Sequence, residues 1–200
     1  MHSNNVRLAE ALQTHAAALL VAGGALVELS AADAREVAGR MFLQHCDAGD
    51  VVIREGDAVH NDFMALVLDG EVRVENSLTA AQESIVVSVL GPGSLIGELG
   101  LIDSAPRSAS CTAEGDLLLA ILTREAMQRL MAEKEGVAAR LLLAVAKRIA
   151  DHLRATTRKL VTFAQLSKAL QQELHAAHSI NRRLLDREDR KLPPAFHGAV

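Results

Sequence analysis

The sequence of 200 residues has no tryptophan and no tyrosine, and it has only four phenylalanines and four prolines. Its longest apolar run, Ala16 to Val27, is 12 residues long and ends at Glu28. A membrane-spanning helix needs about 18 or more such residues. We therefore expect no bilayer span. The run also lacks the flanking charges and the cleavage site of a signal peptide, so we expect a cytoplasmic protein.

Cysteine is equally scarce. Cys46 and Cys111 lie far apart with no CxxC spacing, which excludes a cysteine-ligated iron–sulfur cluster and a zinc site built mainly from thiolates. We expect two buried, reduced thiols rather than a redox switch. Among the histidines only His175 and His178 lie close together. They have no third ligand nearby, so we interpret them as a solvated helix face and predict no metal site.

The net charge of −4 conceals a division of the chain. Residues 1–137 carry a balance of −11, whereas residues 138–200 carry +7. Half of the residues are hydrophobic and 23% are charged, which is typical of a folded globular protein. The charge division indicates two segments with different roles.

Short apolar runs separated by turn residues follow an N-terminal helical segment, in which Ser30 can cap a helix over Ala31–Ala38. Asp69-Gly70 stands between two such runs and predicts a two-residue hairpin. Strands at near-even spacing without intervening helices favour an antiparallel barrel or jelly roll. Seven strands are predicted: Met41–Cys46, Val51–Arg54, Phe63–Leu68, Glu71–Glu75, Ser84–Leu90, Ser108–Ala113 and Leu117–Leu122.

The C-terminal part predicts a long helix, which Thr123 can cap at Arg124. Neither glycine nor proline occurs from Val137 to Leu192, a run that would extend about 84 Å as a helix. Spacings of three and four predict a coiled-coil seam that needs a partner helix. The alternative is a break near Thr162, with the helix folding back on the barrel. The seam consists of Ala146, Ile149, Leu153, Thr156, Leu160, Phe163, Ser167, Leu170, Leu174, Ala177, Asn181 and Leu184.

These patterns predict a fold that is mainly β with flanking helices. It is an antiparallel β-roll, or jelly roll, followed by a long C-terminal dimerisation helix. At the seam, a polar residue such as Asn181 commonly fixes register and strand number. Pro193-Pro194 would end the helix. The predicted division is a helical segment 1–38, a β-roll 39–123, a long helix 124–192 and a tail 193–200.

Residues 97–109 have the composition of an anion site. Gly97 and Gly100 would let the backbone approach a ligand closely, and the residues between them can begin one helical turn with free N–H groups. Arg107 then supplies a cation with a planar fork of donors, and Ser108 adds a hydroxyl donor. These groups suit a phosphodiester with one negative charge.

Glu98 lies in the same motif and would repel a bare phosphate. We therefore expect its carboxylate to accept a hydrogen bond from a neighbouring ribose 2′-OH. Phosphate and ribose together indicate a nucleotide. The alternative is that Glu98 and Arg107 pair with each other in a degenerate pocket that binds nothing.

Gly-Glu-Leu at 97–99 followed by Pro-Arg-Ser-Ala at 106–109 resembles the phosphate-binding cassette of the cyclic nucleotide-binding domain family. The turns in 48–57 and 68–72 resemble those of the family's β-roll, so the likeness covers about Leu29 to Leu160. It implies an eight-stranded roll that binds cyclic AMP or cyclic GMP. The acid of the motif would then bind the ribose hydroxyl, and the arginine would bind the cyclic phosphate.

The helix after the roll resembles the catabolite-activator branch of that family. There, two adjacent small hydroxyl residues reach the adenine amino group from both subunits of a dimer. Here they are Thr156 and Thr157, of which Thr156 also falls on the seam. The alternative is that both bond to their own i−4 carbonyls. The predicted ligand-binding set is Gly97, Glu98, Leu99, Arg107, Ser108, Thr156 and Thr157.

Activators of that branch continue into a helix-turn-helix DNA-binding domain of roughly 60 residues. Residues 163–192 contain no turn signal for one. We therefore read the basic C-terminal segment as a coiled-coil surface and do not expect DNA binding.

The predicted function is a dimeric sensor of a cyclic nucleotide, with cyclic AMP preferred over cyclic GMP and with no cofactor. It would signal through the coiled-coil helix to a protein that the sequence does not identify. We predict no enzyme, because the sequence shows no Ser-His-acid motif, no metal triad and no phosphate-binding lysine loop. The alternatives are an interaction scaffold with a vestigial pocket, or a DNA-binding regulator of the catabolite-activator type.

Overall fold

Two four-stranded antiparallel sheets occupy the middle of the chain. The structure, a computed structural model, describes residues 2–22, 26, 28–77 and 84–189. Its strands are β1 Phe42–Cys46, β2 Val51–Ile53, β3 Phe63–Asp69, β4 Val72–Ser77, β5 Ser84–Leu90, β6 Leu95–Ile96, β7 Ser110–Ala113 and β8 Leu117–Thr123. One sheet has the order β1-β8-β3-β6 and the other β2-β7-β4-β5. The predicted β-roll followed by a long helix is confirmed.

Five helices accompany the sheets in the described part of the chain. Ser30 caps the second helix and exchanges hydrogen bonds with Asp33 in a capping box, which satisfies free N–H groups of the first turn. Thr123 accepts a hydrogen bond from the Ala126 amide, as the sequence predicts. The helices are α1 His2–Val21, α2 Ala31–Ala38, α3 Glu98–Asp103, α4 Arg124–Glu133 and α5 Glu135–Asp189.

All seven predicted strands are present, and their ends differ from the prediction by at most two residues. The eighth strand, which the family resemblance implies, is β6, and its position is not among the seven predicted ranges. It has only two residues, Leu95 and Ile96, which pair with Leu66 and Ala65 of β3. A strand this short shows no alternation in the sequence, because its period cannot be read from two letters.

A turn is present at Asp69-Gly70, but the predicted hairpin is wrong. The strands on its two sides, β3 and β4, lie in different sheets and do not pair. Gly70 has a φ of +84°, and a Cβ there would lie 2.3 Å from the backbone oxygen of Asp116. The glycine is therefore required because the chain crosses between sheets against the backbone of residue 116.

Strand β3 separates two hydrophobic cores. Ala65 and Val67 face the interior of the roll with Cys111 and other residues of the second sheet. Met64 and Leu66 face the other side and pack in a second core, which contains apolar residues of α1, α2, α4 and the first turns of α5. This alternation follows from the period of two in a strand. Both cysteines are buried free thiols, as predicted.

Helix α5 is continuous over 55 residues and is about 82 Å long at 1.5 Å per residue. It runs through Thr162 without a break, so the alternative of a break there is wrong. Lys134, with φ −142° and ψ 61°, separates it from α4. The chain divides into two compact units, residues 1–149 and 150–200, so the first turns of α5 belong to the unit that contains the roll.

The large apolar residues of the predicted seam are exposed on the second unit. Leu153, Leu160, Phe163, Leu170 and Leu174 each expose more than half of their surface. The side chain of residue 184, the end of the helix at 193 and the tail lie outside the described part of the chain. No helix in the described ranges is long and apolar enough for a membrane span.

Candidate functional site

The motif at 97–109 follows β6 directly. Gly97 adopts a left-handed conformation, with φ +75°, and turns the chain into α3, which begins at Glu98. The predicted helical turn is therefore confirmed. A Cβ at Gly97 would lie 2.7 Å from Nη1 of Arg107, and one at Gly100 would lie 2.9 Å from the same atom. In the structure the glycines make room for the arginine, and their close approach to a ligand stays a prediction.

The guanidinium of Arg107 is buried, with only 5% of the residue exposed. Its Nη1 donates to the Gly97 carbonyl at 2.7 Å, its Nη2 to the Phe63 carbonyl at 2.9 Å and its Nε to the His60 carbonyl at 3.2 Å. The cation also lies over the Phe63 ring, 4.5 Å from the ring centre. These contacts hold the side chain in one orientation.

No carboxylate in the described part of the chain forms an ion pair with Arg107. Burial lowers the pKa of its guanidinium, because desolvation disfavours the charged form. An arginine nevertheless remains protonated in proteins, and its five N–H groups exceed the three carbonyls that it contacts. A buried cation without a counterion is costly. The site therefore favours an anion.

A loop behind the motif holds the backbone of Arg107. The Gly56 amide donates to the Arg107 carbonyl at 2.8 Å, and the Arg107 amide donates to the Asp57 carbonyl at 3.0 Å. Asn61, which is 7% exposed, donates from Nδ2 to the carbonyls of Ser104 and Ala105 at 2.7 and 3.1 Å. The sequence analysis missed Asn61, because nothing in the sequence connects it to carbonyls more than 40 residues away.

Asp57 orders the same loop. Its carboxylate accepts hydrogen bonds from the amides of Val59 and His60 at 2.8 and 3.0 Å, and it lies 3.0 Å from Nδ1 of His60. These bonds, chiefly from the His60 and Val59 amides, lower the pKa of Asp57 to about 2. The carboxylate is therefore charged at neutral pH, and the loop keeps its form there.

Glu98 is half-buried and makes no hydrogen bond or ion pair with any residue that the structure describes. It does not pair with Arg107, so the alternative in which these two neutralise each other is wrong. Burial first, and the charge of Glu98 second, raise the pKa of the Cys111 thiol to about 12, whereas Arg107 acts on it in the opposite direction. Both charges thus act on the same thiol of β7, and Glu98 is available as an acceptor.

The other predicted site residues are exposed. Leu99 lies in α3, and Ser108 follows the arginine, where its carbonyl accepts from Nδ2 of Asn76 at 2.7 Å. Thr156 and Thr157 lie on α5 in the second unit. Oγ1 of Thr157 donates to the Leu153 carbonyl at 2.9 Å, which is the i−4 bond of the alternative interpretation. The ligand contacts of these four residues stay predictions.

Three potential metal ligands come together where β1 ends and β8 begins. His45, Asp47 and Asp116 place one ligand atom each within 4.8 Å of one another, and all three are exposed. Nδ1 of His45 lies 3.8 Å from an oxygen of Asp47. His175 and His178 are exposed on α5.

Residues 43–134, which include both Glu98 and Arg107, match the family profile described as cyclic nucleotide-binding domain. This part of the chain matches that family. The resemblance seen in the sequence is confirmed.

Similar proteins include kinase subunits and bacterial receptors. The chain is 35% identical over 106 residues to a cAMP-dependent protein kinase regulatory subunit of Yarrowia lipolytica, covering 53% of this chain and 27% of that protein. It is 34% identical over 103 residues to the cyclic AMP receptor protein of Thermus thermophilus, covering 52% of this chain and 46% of that protein. The chain therefore spans less than half the length of either relative.

Among solved structures, a cyclic nucleotide-binding domain from Methylobacillus flagellatus superposes with a TM-score of 0.61 at 26% identity. The match covers 66% of this chain and 73% of the other. The likeness thus extends over about two thirds of this chain.

Proposed function

We propose that the chain is a sensor of cyclic AMP without enzymatic activity. The observation that carries this proposal is Arg107, a buried cation that has no carboxylate partner among the described residues. The names of both curated relatives refer to cyclic AMP, which supports this choice of anion.

A cyclic phosphodiester suits the site in charge. It carries one negative charge, which compensates one guanidinium, and Arg107 has two N–H groups beyond those it donates to carbonyls. Charge-assisted hydrogen bonds of this kind are about twice as strong as neutral ones. Glu98 would accept a hydrogen bond from the ribose 2′-OH, because it is half-buried and has no other partner among the described residues.

The preference for cyclic AMP over cyclic GMP belongs to the proposal as well. We propose that Thr156 or Thr157 contacts the adenine and that Ser108 adds a donor to the phosphate. The exposed hydroxyl of Ser108 next to Arg107 supports the second contact. Single neutral hydrogen bonds contribute only about 0.5–1.5 kcal/mol each, so the base preference should be modest.

We propose that the sensor is a homodimer through α5 and that it signals to another protein through this helix. The exposed seam residues support a partner helix, and the spacing of three and four is that of a coiled coil. Ligand binding would shift the equilibrium between two positions of the helix. This requires that the ligand makes different contacts in the two states.

Thermal melting with cyclic AMP, cyclic GMP and 5′-AMP tests the ligand. A ligand at 100 times its Kd stabilises the folded state by about 2.7 kcal/mol, so we expect the melting temperature to rise with cyclic AMP, less with cyclic GMP and least with 5′-AMP. Arg107→Ala should weaken cyclic AMP binding about 10²- to 10³·⁵-fold in calorimetry, because it removes the cation that meets the desolvated phosphate.

Arg129→Ala is the matched control, because Arg129 is an exposed arginine of the same unit. Arg107→Lys keeps the charge without the planar fork, so it separates the contribution of the charge from that of the fork. Near wild-type affinity in folded Arg107→Ala would contradict the proposal. If no nucleotide shifts the melt of a chain that still dimerises, the second candidate, an interaction scaffold built on the exposed seam of α5, takes its place.

A further inference from the structure

Arg124 connects the anion site to helix α4. It is the first residue of α4, and its amide donates to the Asp62 carbonyl at 2.6 Å. Its Nη2 donates to the carbonyl of Gly100 in α3 at 2.5 Å. One half-buried side chain thus joins the short helix of the site to the helix that precedes α5.

Gly100 stands between two arginines. A Cβ on its Cα would lie 2.9 Å from Nη1 of Arg107, while its carbonyl accepts from Arg124. Arg124, like Arg107, has no carboxylate partner among the described residues. Burial lowers the pKa of Arg107, Cys111, Asp62 and Asp57 raise it, and the charge of Arg124 lowers it by less than any of these. Because Gly100 lies against both guanidinium groups, the two like charges repel each other across α3.

An anion at Arg107 would change this balance. Its negative charge would cancel the repulsion and attract both guanidinium groups. The free energy of the Arg124 contact with Gly100 then differs between the occupied and the empty site, which is the condition for a ligand to shift an equilibrium.

We infer that Arg124 is the positioning residue through which occupancy of the Arg107 site acts on α4. This inference rests on the proposed function. Helix α4 carries the effect onward because Met127 and Leu130 are buried in the helical core. Its last residue, Glu133, also binds Nη2 of Arg40 at 2.8 Å. A change at Arg124 therefore reaches the core against which α5 begins.

Hydrogen exchange of the α4 amides, measured with and without cyclic AMP, tests the inference. In the wild type we expect cyclic AMP to change exchange over 126–133 about fivefold or more, within the range of typical coupling between sites. Arg124→Met removes both the charge and the donor. It should bind cyclic AMP within about tenfold of wild type and lose the change in α4. Arg124→Lys, which keeps the charge, should restore part of that change.

Arg129→Met is the matched control, because this arginine of the same helix is exposed and pairs only loosely with Glu125, at 3.7 Å. It should keep both binding and the response. A ligand-dependent change of wild-type size in Arg124→Met overturns the inference, as does wild-type protein that binds cyclic AMP with no change in α4. If the wild-type protein binds no cyclic AMP, the proposed function itself is contradicted. Calorimetry measures this binding independently of hydrogen exchange.

Discussion

Arg107 and Glu98 are opposite charges of one motif, and their surroundings stabilise them in different ways. The arginine is buried, and backbone carbonyls replace part of its lost hydration, but they carry no net charge and leave the cation uncompensated. The acid begins α3, where the N-terminal end of the helix favours a negative charge. Each residue thus keeps its charge, and the pair presents a cation for a phosphate and an acceptor for a hydroxyl.

The role of Glu98 can be tested with a pair of ligands. Glu98→Gln should weaken binding of cyclic AMP by about 1–1.5 kcal/mol, because a hydrogen bond to a charged group is replaced by a neutral one. The loss should disappear with 2′-deoxy cyclic AMP, which has no hydroxyl at that position. Calorimetry with both ligands measures the difference, and an equal loss for both would remove Glu98 from the ribose.

At the scale of elements, ion pairs join the N-terminal helices to the helices that follow the roll. Arg140 of α5 binds the buried carboxylate of Asp33 in α2 through two hydrogen bonds, at 2.7 and 2.8 Å. Lys147, which lies two turns after Arg140 on α5, forms an ion pair with Glu28. The first turns of α5 are therefore held to the N-terminal segment by charge as well as by apolar contact.

The pair of Asp33 with Arg140 predicts a pH-dependent stability. Hydrogen bonds from Arg140, opposed by burial, hold the pKa of Asp33 well below its ordinary value. Asp33→Asn should therefore lower the free energy of unfolding by about 1–3 kcal/mol at pH 7. The pKa of Asp33 is lower in the folded state than in the unfolded state, where it is about 3.9. The charged carboxylate therefore stabilises the protein at pH values above about 3.9, and this stabilisation is lost as the pH falls through the folded-state pKa. The difference from wild type should thus shrink in urea unfolding at pH 3.

The exposed pair of Asp151 with Arg154 is the control. Asp151→Asn should change the stability by no more than about 0.5 kcal/mol at either pH, because an exposed pair is screened by solvent. If Asp33→Asn is no more destabilising at pH 7 than this control, the pair does not hold α2 to α5.

At the scale of the whole molecule, the proposed dimer depends on α5. Leu170 lies on the seam and is 56% exposed, so a partner helix would bury it. Leu170→Glu should weaken the dimer about 100-fold or more, because two copies each lose about 1.5–3 kcal/mol of apolar burial. Sedimentation equilibrium measures the change.

Gln172→Glu adds the same charge to the same helix two residues further on, off the seam. It should leave the dissociation constant within about threefold of wild type, because a residue outside the seam stays in water. Equal weakening by both substitutions would show that charge alone, and not the seam, governs association.

The elements and the local contents of the site were predictable from the sequence. Short apolar runs between turn residues identified seven strands, and Ser30 and Thr123 marked two helix starts. The acid and the arginine of the motif are recognisable in the sequence itself. Such signals are local, since a cap or a strand period depends on neighbours within a few residues.

The partners of those residues depended on the tertiary structure. Strand β6, the passage of the chain between sheets at Gly70, the bonds of Asn61 and the contact of Arg124 with Gly100 join residues far apart in sequence. Most of these contacts end on backbone carbonyls, which every residue type carries. The path of the chain therefore decides which carbonyl accepts from which donor, and the residue types alone do not identify these pairs.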